Sequence, residues 1–183
     1  KILLQKQMKK LGFVYRINVL DINFTEFQKL NNKKINLIDV KYEFYNCFEK
    51  ISNKSNSYIK ECFEIALKII KENNFSKMLN GPISKKHFLK GKSLGITEYL
   101  AKKTKVNNAF AMLIFNKKLS VSPITTHLAL KNVYKHITQK KIYDHAKLIT
   151  KFYEKYFKTK PRIAITGLNP HCESNFKDCE EDA

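Results

Sequence analysis

Two of the five histidines in this 183-residue chain, His127 and His171, share a setting that could do chemistry. Each follows a predicted short apolar strand: His127 comes just after the run ending at Thr125-Thr126, and His171 follows the run ending at Thr166 through Gly167-Leu168-Asn169-Pro170. In open α/β sheets ligands bind beyond the carboxyl ends of strands, so two histidines at two such ends can converge on one site. Neutral imidazole is a common ligand of zinc and similar divalent ions, but a catalytic centre usually needs three protein ligands and an open position. The chain offers two good candidates and no clear third. Spacing alone leaves open the plainer alternative, in which His127 caps the helix after it and His171 packs in a loop. His87, His136 and His145 fall in lysine-rich helical surroundings and read as surface or helix-packing residues.

Two further segments could meet a substrate. Asn80-Gly81-Pro82-Ile83-Ser84-Lys85 reads as a strand end, a sharp turn and a helix start, whose free backbone N–H groups could face an anion. It has less glycine than a phosphate-binding loop normally shows, and an ordinary strand-to-helix turn fits it too. Gly95-Ile96-Thr97-Glu98 reads as a capped helix entry with Thr97 as N-cap.

The elements that must position these residues follow from periodicity. Residues 1–11 have helical spacing, and Gly12 stands where a helix stops. Strands are predicted at 13–20 and 35–40, with a loop over 43–54. Tyr58, Cys62, Ile65, Ala66 and Ile69 mark an amphipathic helix across 55–73, which Asn73-Asn74 ends. A short buried strand at 77–80 leads to a helix from Ser84, and a second short helix spans 97–103. Two apolar runs, 109–115 and 119–125, read as a strand pair. A long helix over 138–158 carries Ile142, Ala146, Ile149, Tyr153 and Phe157 on its inner side, with Thr138 as N-cap, and a strand follows at 162–166. Helices alternating with short apolar strands predict an α/β fold with a mostly parallel sheet and flanking helices.

Composition narrows the functional classes. The net charge of +19 would suit nucleic acid, an anionic membrane surface or a phosphorylated small molecule. Yet Arg16 and Arg162 are the only arginines, and the lysines are scattered along the chain, whereas bidentate phosphate and base recognition favours arginine. Most lysines therefore read as solvated faces, and no nucleic-acid partner is expected. Cys47, Cys62, Cys172 and Cys179 form no Cys-x-x-Cys pair and no zinc-finger spacing, as expected of reduced thiols. No apolar stretch approaches the roughly 18 to 20 residues that span a bilayer, and the first ten residues lack a signal-peptide core. A cytoplasmic protein without a membrane partner is expected.

In order along the chain, Asn80-Gly81-Pro82-Ile83-Ser84-Lys85, Gly95-Ile96-Thr97-Glu98, Thr125-Thr126-His127-Leu128-Ala129-Leu130 and Gly167-Leu168-Asn169-Pro170-His171 resemble segments of the 4-hydroxythreonine-4-phosphate dehydrogenase family of pyridoxal phosphate biosynthesis. The resemblance is clear over residues 77–172. It implies an isocitrate/isopropylmalate dehydrogenase-like fold and a homodimer with a shared active site. NAD or NADP is the implied cofactor, together with a divalent metal such as Zn, Mg, Mn or Co. It further implies that His127 and His171 are two of three metal-binding histidines, the third lying beyond Ala183, and that Thr97 and Lys85 contact a phosphorylated small-molecule substrate.

The family's Gly-His-Thr-Glu motif has a histidine where this chain has Ile96, and the family's glycine-rich N-terminal motif is missing. The first departure keeps open a relative acting on another four-carbon phosphorylated acid, a threonate or erythronate phosphate. A basic nucleic-acid-binding domain and a catalytically idle remnant are the readings from other classes. The chain opens on Lys1 inside a predicted helix and closes on an acidic stretch, so residues 1–183 are expected to be a single incomplete α/β region of a longer dehydrogenase chain, truncated at both ends and inactive alone.

Overall fold

The computed structural model describes residues 1–106 and 110–168, and the chain divides into two units, Lys1–Lys92 and Ser93–Ala183. The first unit begins with α1 (Ile2–Leu11), which stops as predicted at Gly12. Gly12 takes the left-handed conformation at φ 74°, so its N–H reaches Lys9 O and the N–H of Phe13 reaches Met8 O at 2.9 Å. This pair of reversed bonds satisfies the last carbonyls of the helix, and glycine adopts the required φ without a Cβ penalty.

Strands β1 (Ile17–Leu20) and β2 (Ile35–Ile38) then pair in parallel, with Ile17 opposite Ile35, Val19 opposite Leu37 and Leu20 opposite Ile38. Asn18 Nδ2 donates to Asn36 Oδ1 at 3.0 Å across the pair. The predicted first strand is longer than the observed one. Phe13, Val14 and Tyr15 are exposed and have no partner strand among the described residues, and strand propensity without a ladder does not hold a strand.

Helix α2 (Asn56–Glu72) lies where the apolar spacing placed it, with Phe63 as its most buried side chain. The Phe63 ring stacks against Phe88 at 5.9 Å, and Leu89 is buried nearby in sequence, just after the single-turn α3 (Lys85–Phe88). Between these helices the expected strand at 77–80 does not form: Leu79 is 97% exposed, and nothing among the described residues pairs with this segment.

In the second unit α4 (Ile96–Lys103) buries Ala101. The strand pair expected at 109–125 contracts to one antiparallel bridge, Ile114 to Val121, with N–H···O distances of 2.8 and 3.0 Å. The Asn116 side chain and Ser120 close the intervening turn, where Lys118 N donates to Asn116 Oδ1 at 2.9 Å. The short α5 (Leu130–Val133) precedes the long α6 (Gln139–Phe157). Thr138 caps α6 as predicted, its Oγ1 accepting from Lys141 N at 3.2 Å. The inner face of α6 holds Ile142, Ala146, Ile149 and Tyr153, while Phe157 is more exposed and stacks on Phe115 at 5.1 Å. Residues 162–166 form no strand: Ile163 and Ile165 stay exposed and unpaired among the described residues. The architecture is therefore α/β, with a small parallel sheet and helices. No helix among the described residues is long and apolar enough to cross a membrane.

Candidate functional site

The start of α4 brings together two of the sequence segments singled out above. Its N-cap is Gly95, not Thr97, and the cap has no side-chain hydrogen bond. Gly95 is buried in extended backbone, φ −153° and ψ 179°, which any residue can adopt. What glycine supplies here is space. A Cβ there would stand 2.6 Å from Glu98 Oε2 and 3.3 Å from His127 Nε2, so the bare Cα leaves room for a carboxylate and an imidazole at one point.

Glu98 occupies the first turn of α4, where the helix dipole favours a negative charge. Its Oε1 accepts a hydrogen bond from Thr126 Oγ1 at 2.9 Å, linking positions 28 residues apart. His127, next along the chain, has φ 58°, in the left-handed region that side chains other than Gly, Asn, Asp and His seldom enter. Its ring is exposed and has no hydrogen-bond partner among the described residues. The alternative in which His127 caps the next helix does not hold, since Ala129 is the N-cap of α5. Thr97 is half-buried beside this cluster in sequence and makes no side-chain hydrogen bond among the described residues.

Lys85 belongs to the first unit, where it opens α3 with an exposed side chain. The preceding Ser84 is the N-cap of α3, but its hydroxyl shares a 2.8 Å hydrogen bond with His87 Nδ1 and makes no side-chain cap bond. Pro82, Ile83 and Ser84 of the same turn line an open cleft of roughly 250 Å³, together with Asn56 and Cys47. His171 lies outside the described residues, and so do Cys172 and Cys179. Among the described residues no three His, Cys, Asp or Glu side chains gather to hold a metal ion.

Of the other histidines, His136 is exposed, and His87 and His145 are half-buried. His145 Nε2 meets Ser122 Oγ at 2.6 Å, and burial followed by the nearby Lys141 charge holds its pKa below the ordinary 6.5. Burial raises the Cys62 thiol pKa, which disfavours the thiolate, and one turn earlier Tyr58 is pushed up to about 12 by burial and by Cys62 itself.

Sequence reasoning named Glu98 and Thr126 as parts of motifs without giving either a role. The available signal was an acidic residue in the first turn after a glycine, which marks a helix start but does not say what the second carboxylate oxygen meets.

Comparison with known proteins places the chain in a family. A sequence model of the family "Pyridoxal phosphate biosynthetic protein PdxA" matches residues 1–183. A 4-hydroxythreonine-4-phosphate dehydrogenase of Sulfurihydrogenibium sp. (strain YO3AOP1) is 34% identical over 176 residues, covering 91% of this chain and 53% of that protein. The enzyme of the same name from Neisseria meningitidis serogroup A is 32% identical over 128 residues, covering 67% and 39%. A D-threonate 4-phosphate dehydrogenase of Pectobacterium atrosepticum is 33% identical over 81 residues, covering 44% and 24%. The chain thus spans about half the length, or less, of the curated relatives it matches. With a family match along its whole length, the chain belongs to the pyridoxal phosphate biosynthetic protein PdxA family.

Proposed function

We propose that this chain is an incomplete α/β region of a metal-dependent, NAD- or NADP-linked 4-hydroxythreonine-4-phosphate dehydrogenase with an isocitrate/isopropylmalate dehydrogenase-like fold. The reaction is oxidation of 4-phosphohydroxy-L-threonine followed by loss of CO2, giving 3-amino-2-oxopropyl phosphate for vitamin B6 synthesis. The observation that carries this reading is the meeting of two family-resembling segments at one point, where Glu98 and His127 share the space beside Gly95.

The residues present suit a divalent ion. His127 offers an exposed imidazole with no hydrogen-bond partner among the described residues, held at a backbone angle that few residues adopt. His127 and His171 would hold the ion, with a third donor from outside these residues. Bound there, the ion would supply Lewis acidity and the nicotinamide would supply hydride-acceptor chemistry. The chain's own part is orientation. Thr97, whose hydroxyl has no hydrogen-bond partner among the described residues, would bond the substrate, and the family resemblance assigns Lys85 to its phosphate. A homodimer with a shared active site, acting in the cytoplasm, completes the proposal.

A second reading rests on Ile96. An aliphatic side chain in place of the family's histidine removes one polar contact to substrate, and a relative named D-threonate 4-phosphate dehydrogenase shows similarity to the chain. The deciding measurement is NADH production by the full-length protein on 4-phosphohydroxy-L-threonine and on the 4-phosphates of threonate and erythronate. Turnover of the first substrate is expected. Turnover of the acid phosphates alone selects the second reading, and turnover of none removes both.

A further inference from the structure

We propose that Glu98 is a positioning residue for His127, acting through Thr126. The inference rests on the reading of His127 as a metal-binding residue and adds what holds it in place. Three observations lead there. Thr126 Oγ1 donates to Glu98 Oε1 at 2.9 Å, so the residue immediately before His127 is tied to the first turn of α4. His127 itself has φ 58°, in the left-handed region, so the backbone turns at the residue that follows the tied Thr126. Gly95 leaves free the point that both the Glu98 carboxylate and the His127 ring approach, so the two side chains lie beside one another over a bare Cα.

The division of labour follows from rigidity. A carboxylate in the first turn of a helix is favoured by the helix dipole, and its Cα is fixed by the helix backbone. A loop residue such as Thr126 has no such support. Anchoring the loop to the helix therefore transfers the helix's order to the imidazole, as outer-shell partners do for metal-ligating histidines elsewhere. Thr126 occupies Glu98 Oε1, and this bond is the tie through which Glu98 acts on the loop that carries His127.

The test uses the full-length protein and zinc alone, with affinity read by competition against a chromophoric chelator and folding checked by circular dichroism. Thr126→Val removes the donor and is expected to weaken zinc binding by about 10-fold or more, within the range seen for outer-shell partners. Glu98→Ala should do the same. Thr126→Ser and Glu98→Gln, which keep a donor and an acceptor, should stay within about threefold of the unmodified protein by the same measure. His127→Ala is the control. If it leaves zinc affinity unchanged, the metal-binding reading fails and this inference with it. If His127→Ala weakens binding but folded Thr126→Val does not, the metal reading stands and the positioning role of Glu98 is overturned. A loss in Thr126→Val that Thr126→Ser does not rescue also overturns it, because the hydroxyl is then not what matters.

Discussion

The side chains at the start of α4 and those facing α6 illustrate two uses of histidine. His127 is exposed and unpartnered among the described residues, whereas His145 is partly buried against Ser122. The Ser122 hydroxyl donates to Met112 O at 2.5 Å, so its oxygen accepts from His145 Nε2–H, and the neutral ring satisfies the contact. Burial and Lys141 then disfavour the imidazolium, which lowers the pKa below 6.5. The sign of the consequence is definite. With the folded pKa depressed, the unfolded chain takes up the proton first as pH falls below 6.5, so stability is full above that value and is lost as pH falls through the folded pKa. The melting temperature of the unmodified protein should therefore drop between about pH 7.5 and about pH 5.5 by more than that of His145→Gln. Equal drops would show that His145 carries none of the dependence.

At the scale of elements, helices formed where local signals were complete, whereas among the described residues only β1 and β2 of the expected strands found a full ladder. The long α6 has an apolar face, a capping Thr138 whose Oγ1 accepts from Lys141 N, and a left-handed Lys158 at its end, φ 57°. Replacing Thr138 with Ala removes one of the few partners available to the first-turn amides, at about 1 kcal/mol. Amide hydrogen exchange at 140–142 should accelerate about fivefold in Thr138→Ala, the factor that energy corresponds to, and remain near the original rate in Thr138→Ser. Unchanged exchange in Thr138→Ala would remove the cap from the account. Strands depend on something α6 does not need. The runs at 77–80 and 162–166 carry suitable side chains but meet no neighbouring strand among the described residues, so their backbone groups have no ladder to join.

For the whole molecule, the lysine excess is absorbed by the surface. Lys60 and Lys68 pair with Glu64 and Glu72 one turn on, Lys140 with Asp144 at 2.6 Å, and lysines such as Lys54 and Lys6 lie over the aromatic rings of Tyr45 and Phe44. No charged side chain is buried among the described residues. Among the described residues the buried apolar side chains are Phe63, Leu89 and Ala101, while Val14, Tyr45, Leu79 and Leu130 are almost wholly exposed. The matched relatives are about twice as long, and on the proposed reading a metal that only His127 and His171 held would be weakly bound. Residues 1–183 alone are therefore expected to produce no measurable NADH from 4-phosphohydroxy-L-threonine with zinc or magnesium present. Robust turnover by this stretch would refute the incomplete-site reading.

What the sequence determined by itself was local or chemical in origin. Gly12, Thr138 and the spacing from Tyr58 to Ile69 set helix ends and faces because capping and periodicity act within a few residues. The ordered motifs around Lys85, Thr97, His127 and His171 identified the family because residue types at fixed separations survive without coordinates. Tertiary structure decided the rest. That Gly95 and not Thr97 caps α4, and that Glu98 grips Thr126 beside His127, depends on a contact across 28 residues. No periodicity encodes such a contact, because it exists only once the loop has been laid against the helix.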